Sequence, residues 1–100
     1  TIEPVVDAAV YRIAQESVTN AVRHATRATR VDISVEAASD CVHLTVIDDG
    51  EPNGVPSVGG YGLIGMAERA KLLGGVLDAG WAPHGGWRIR AELPRPRVTP

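Results

Sequence analysis

Three residues in the stretch QESVTNAVRHA stand four apart: Glu16, Asn20 and His24. On a helix such residues are rotated by about 40° and separated by about 6 Å, so a carboxylate, an amide and an imidazole would form one slanted polar row. A carboxylate with an amide carbonyl is a sensible oxygen set for Mg²⁺, which takes few protein ligands and completes its shell with water and substrate phosphate. An ordinary solvated helix face has the same spacing, so the row alone decides nothing. A second candidate is the cluster Gly59, Gly60 and Gly62, directly ahead of a helical pattern that starts near Leu63. Unpaired N–H groups and the positive end of a helix dipole favour an anion there, phosphate first; a flexible loop is the alternative. It is not a Walker A loop, because Lys71 comes too late, and no strand runs into the glycines as a dinucleotide fingerprint requires. The third candidate is Asp48, followed by Asp49 and Gly50 at the end of an apolar strand. An aspartate so placed can accept a hydrogen bond from an exocyclic amine in an otherwise apolar pocket, or it can simply start a turn.

These residues need elements to hold them. From Pro4 to about Ala25, the residues Val6, Val10, Ile13, Ala14, Val18, Ala21 and Ala25 recur at three- and four-residue steps, which predicts a helix with one core face. Pro4 suits its first turn. RVDISVEA alternates Val31, Ile33 and Val35 against Asp32, Ser34 and Glu36, the pattern of a half-buried strand. After a turn at Ser39 and Asp40, CVHLTVID reads as its antiparallel neighbour. Residues 48–62 are rich in glycine and proline and have no period, so they form a loop, of a length that suggests a lid or a binding segment. LIGMAERAKLL then has the helical period and ends on Gly74 and Gly75, a glycine cap. VLDAGWA and WRIRAEL read as two further strands around a glycine-containing turn. The order helix, two strands, loop, helix, two strands predicts an α+β fold: a two-layer α/β sandwich with a mixed, mostly antiparallel sheet and both helices on one face. The domain is expected to span residues 1–93, with 94–100 as a flexible tail.

Composition narrows the function classes. One hundred residues, 44% apolar and 22% charged, make one domain with a single core. No run approaches the roughly 20 apolar residues of a membrane span, and the start lacks a secretory pattern. A cytoplasmic setting without direct membrane contact is expected. A net charge of −2 argues against nucleic acid as a partner. Cys41, the sole cysteine, rules out an internal disulfide and is read as a strand residue. Histidines 24, 43 and 84 lack the close spacing of a metal site.

QESVTNAVRHA, VIDDG, GGYGLIGMAERAKLLGG and PHGGWRIRAELP occur in the order and rough spacing of the ATP-binding domain of sensor histidine kinases, over about residues 9–93. The chain most resembles the branch whose response regulators are similar to the nitrate/nitrite regulators. The parent group also holds gyrase B, HSP90 and MutL. This resemblance implies the Bergerat-type ATP-binding fold, with ATP and Mg²⁺ as ligands. By position, Asn20 resembles the Mg²⁺-ligating asparagine and Glu16 the carboxylate one turn earlier, which in hydrolysing members positions or activates water and here would act at the metal and the phosphates. Arg23 and His24 would lie near the phosphates. Asp48 matches the aspartate that reads the adenine amino group, and Gly50 the glycine that lets the base approach. Gly60, Tyr61, Gly62 and Leu63 match the second glycine box, which would hold the phosphates, and the segment between Gly50 and Gly60 would be a short ATP lid.

Two positions depart from the family pattern. Pro52 follows Glu51 where the first box expects another glycine, and Trp87 follows Gly85 and Gly86 where a threonine is usual. The resemblance implies that the γ-phosphate passes to a histidine on a separate dimerisation and phosphoacceptor domain of the same kinase, and from there to a response regulator. None of His24, His43 and His84 suits the acceptor role, so the chain is expected to be a catalytic domain, monomeric in isolation, whose full-length kinase could be membrane-anchored. The competing readings are a related ATPase, an anti-sigma-type serine kinase, and an interaction module whose pocket has lost nucleotide.

Overall fold

The computed structural model describes residues 2–24, 27–51, 63–83 and 85–96. Helix α1 spans Pro4–His24, followed by strands β1 (Val31–Ala37) and β2 (Cys41–Asp48). Helix α2 spans Leu63–Leu72, and strands β3 (Val76–Trp81) and β4 (Trp87–Pro94) complete the chain order. The sheet is ordered β1-β2-β4-β3. Every neighbouring pair is antiparallel, so no parallel pairing occurs among the described residues. The reason is that β4 returns from the β3 turn into the place beside β2, which reverses its direction against both neighbours.

The core lies between one face of the sheet and both helices. Val6, Val10 and Ile13 of α1 and Met66 and Ala70 of α2 cover Val42, Leu44 and Val46 of β2 and Ile89, Ala91 and Leu93 of β4. Alternate strand residues share a face, and α1 presents its stripe at the helical period, so these residues must converge once the layers stack. Full burial of each large apolar side chain stabilises by roughly 1.5–3 kcal/mol. Ser17 interrupts the α1 stripe but is itself buried; its hydroxyl donates to the Ile13 carbonyl at 2.7 Å. Helix α2 ends where Gly74 takes a φ of 80°, with the Gly75 N–H donating to the Ala70 carbonyl at 2.9 Å, a Schellman-type cap.

Strand β1 is less buried than its alternation predicts. Ile33 and Val35 are 51% and 44% exposed although they share the core-side face with Val46 and Leu44. Alternation identifies the face, not what covers it, and β1 is an edge strand that α1 covers only in part. Inner strand β4 continues to Pro94, and Arg95 is tied down by Glu3 at 3.0 Å and by the Ala38 carbonyl at 2.7 Å. Residues 97–100 of the expected tail fall outside the described residues.

Asp49 fixes the approach to β1. Its carboxylate accepts the Thr29 N–H at 2.6 Å, the Thr29 hydroxyl, and the Arg30 N–H at 2.9 Å. The Thr29 hydroxyl, then the two backbone donors, hold its carboxyl down from 3.8 to about 2. A depressed acid stabilises the fold fully above its ordinary value, and that contribution fades as pH falls from about 4 towards about 2. Urea unfolding of the parent and Asp49→Asn at pH 7, 4 and 2.5 should therefore show a stability gap that narrows as pH falls. A gap independent of pH would contradict this role.

Candidate functional site

Asp48 closes β2 on the helix-covered face and is the charged side chain in the buried set, 6% exposed. Its Oδ1 accepts the Gly50 N–H at 2.8 Å and the Trp87 N–H at 3.4 Å. A buried carboxylate oxygen needs such donors, because an unpaired one is costly. No described residue donates to Oδ2, which is thus an acceptor held by a rigid strand end. Gly50 is buried beside it. Its N–H closes a short turn onto the carboxylate that would otherwise be free to rotate.

Gly86 presses on the same aspartate from the turn before β4. It has a φ of 91°, and a Cβ there would stand 2.3 Å from the Asp48 carbonyl oxygen. Trp87, next in sequence, is half-buried against the core and meets Trp81 edge to face, with ring centroids 5.1 Å apart. Trp87 therefore packs against the core, and its N–H also orients Asp48. The structural roles of Gly86 and of the Trp87 N–H were not assigned from the sequence; the glycine pair before a strand was the available signal.

The α1 row is positioned from α2. Glu16 Oε1 lies 3.3 Å from Arg69 Nη2, both side chains about one-third exposed. Ser17 Oγ lies 3.5 Å from Met66 Sδ. Both contacts join the C-terminal half of α1 to α2. Asn20 is half-buried one turn beyond Glu16. The N-terminal end of α2 begins with half-buried Leu63 and has no acidic residue in its first turn, and the N–H groups and dipole at such an end favour an anion. Arg69 was not singled out in the sequence, since a partner 53 residues away leaves no local signal.

The remaining expected residues divide cleanly. Arg23 is exposed near the end of α1. His24 is the last residue of α1, and its side chain, like Gly60, Tyr61, Gly62 and the lid segment with Pro52, lies outside the described residues. The structure therefore brings Asp48, Gly50, Gly86 and Trp87 together, and separately Glu16 with Arg69.

Residues 6–97 match the family described as histidine kinase-, DNA gyrase B- and HSP90-like ATPases. Among curated proteins, a sensor histidine kinase of Bacillus subtilis, YxjM, is 36% identical over 91 residues, covering 91% of this chain and 22% of that protein. The methanol utilization control sensor protein MoxY of Paracoccus denitrificans is 35% identical over 94 residues, covering 87% of this chain and 21% of that protein. The chain spans about a fifth of the length of these relatives. Among solved structures, the ATP-binding domain of PrrB from Mycobacterium tuberculosis aligns with a TM-score of 0.69 at 28% identity, covering 90% of this chain and 69% of that one.

Proposed function

We propose, because this chain belongs to the family of histidine kinase-, DNA gyrase B- and HSP90-like ATPases, that it binds Mg·ATP and presents the γ-phosphate to a histidine on a separate phosphoacceptor domain of the same two-component kinase. The observation that carries the reading is the buried Asp48 carboxylate, with Oδ1 anchored by two backbone donors and Oδ2 available to an exocyclic amine. An oxygen unclaimed by described residues, on a carboxylate whose other oxygen is anchored, suits recognition of the adenine amino group.

The α1 row fits the metal and phosphate end. Asn20 supplies the amide oxygen a sparse Mg²⁺ site needs. Glu16 already has a guanidinium on one oxygen, so its role is to orient the metal's water and the phosphates rather than to be the sole ligand. Mg²⁺ bound there would neutralise phosphate charge during transfer. Arg23, His24 and the Gly60–Leu63 segment, whose backbone precedes and opens α2, would complete the phosphate cradle. Phosphoryl transfer depends mainly on positioning and charge stabilisation, so the domain contributes the donor side, while the acceptor comes from the partner domain and the response regulator follows it. His43 is exposed on the outer face of the sheet, away from this cradle.

The test is titration of the chain with ATP, with and without Mg²⁺, on the parent and on Asn20→Ala. The parent should bind ATP more tightly with Mg²⁺ than without. Asn20→Ala should lose that difference, a fall of roughly 10-fold or more for a lost charge-assisted contact of about 1.5–3 kcal/mol. Label from γ-phosphate should appear on a supplied phosphoacceptor domain and not on the chain itself. Rapid hydrolysis unaided would favour the ATPase reading, and no binding at millimolar ATP would leave the interaction-module reading.

A further inference from the structure

The outer face of the sheet, away from both helices, carries a cluster that nucleotide binding does not use. Cys41 and His43 stand two apart on β2 and so share a face, and His43 is paired in register with Glu92 of β4. Their side chains converge. Cys41 Sγ lies 3.2 Å from His43 Nε2, and His43 Nδ1 lies 3.6 Å from Glu92 Oε1. One ligand atom from each residue falls within 4.8 Å of the other two. Around a tetrahedral ion with bonds of about 2.0–2.3 Å, donor atoms stand roughly 3.3–3.8 Å apart. The two short contacts use opposite ring nitrogens of His43 and one ion takes only one of them, so side-chain rotation must draw the three donor atoms in from their present limit of 4.8 Å to close on a cation. The three residues sit on two hydrogen-bonded strands, a firmer base for a site than a loop. A cavity of about 270 Å³ opens beside them, lined by Cys41 and Glu92 together with Asp40, which leaves room for a water molecule or a fourth donor.

We propose that Cys41, His43 and Glu92 form a Zn²⁺ site, with water or Asp40 in the fourth position. Sulfur, imidazole nitrogen and carboxylate together suit zinc, whereas Mg²⁺ and Ca²⁺ take oxygen donors. The carboxylates of Glu92 and Asp40 set negative charge where the cation would bind. The site is separate from Asp48, which lies on the other face and seven residues along the same strand, roughly 23 Å at 3.3 Å per residue. Zinc here would clamp β2 to β4 and stabilise the folded chain by mass action.

Spectroscopic titration with Co²⁺ in the absence of nucleotide tests the site. The expected result is one Co²⁺ per chain with a sulfur-to-metal charge-transfer band, displaced by Zn²⁺. Cys41→Ser should abolish the band and weaken Zn²⁺ binding by roughly 100-fold or more, since loss of even an outer-shell partner typically costs 10–100-fold. Glu92→Gln, at an exposed side chain, should keep the band and weaken binding, and it carries the comparison should Cys41→Ser melt lower without metal. Zn²⁺ should raise the Tm of the parent and not of Cys41→Ser, with ATP affinity equal in the two. Zn²⁺ affinity unchanged in both variants, or no saturable binding below millimolar Zn²⁺, would overturn the site.

Discussion

Asp48→Ala is expected to weaken ATP binding by roughly 30-fold to 150-fold and to erase preference for adenine over guanine. Removing a charge-assisted acceptor costs about 1.5–3 kcal/mol, and each 1.4 kcal/mol is a factor of ten. The loss should reach the upper part of that range because the substitution also strands the N–H groups of Gly50 and Trp87, which converge on Oδ1. Asp48→Asn separates the two effects. Two backbone donors demand an oxygen at the Oδ1 position, so the amide nitrogen must take the place of Oδ2 and present a donor to the base. This variant should keep the fold, lose affinity for ATP and gain relative affinity for a purine with a carbonyl at the same position. Competition binding with ATP, GTP and ITP on the parent and both variants reads the result. ATP affinity within threefold of the parent in both would remove Asp48 from the base site.

Much of this arrangement was legible in the chain because it depends on local periods. The α1 stripe of Val6, Val10 and Ile13 follows the helical step, and β2 and β4 alternate in a way that survives assembly, since each has a helix above its apolar face. For β1 the same alternation misleads, because Ile33 and Val35 lie on an edge strand that α1 covers only in part. Asp48 could be located from its place at the end of an apolar run. Its donors could not, because Trp87 is 39 residues away and arrives only through the β2 to β4 register. Arg69 is invisible for the same reason: the pairing with Glu16 follows from how two helices cross, not from any spacing along either. Cys41 and His43 show both sides of this limit. Their two-residue step places them on one strand face, yet the third donor, Glu92, comes from the sheet register alone.

Gly86→Ala should produce the largest loss of stability among single-methyl substitutions in the turn before β4, about 2–5 kcal/mol. Two costs add. A φ of 91° places an L side chain in a region that costs roughly 1–2 kcal/mol, and the new Cβ would stand 2.3 Å from the Asp48 carbonyl oxygen and 3.4 Å from its carbon. Backbone in a paired strand cannot yield as a flexible side chain would, so overpacking adds about 1–3 kcal/mol. For a domain of this size each kcal/mol lowers Tm by roughly 4–8 °C, which makes the expected fall at least about 8 °C. Gly85→Ala is the internal control. Its φ of 93° imposes the same conformational cost, yet among the described residues nothing lies within 4 Å of its Cβ, so its loss should stay near 1–2 kcal/mol. Thermal and urea unfolding of the two variants would separate strain from contact. The contact also has a functional consequence: relief of the Gly86 clash must move either β4 or the end of β2, and both carry groups that orient Asp48. Folded Gly86→Ala should therefore bind ATP more weakly than Gly85→Ala at a temperature where both are native. Equal stability and equal ATP affinity in the two variants would mean that the close approach of Gly86 to Asp48 orients nothing.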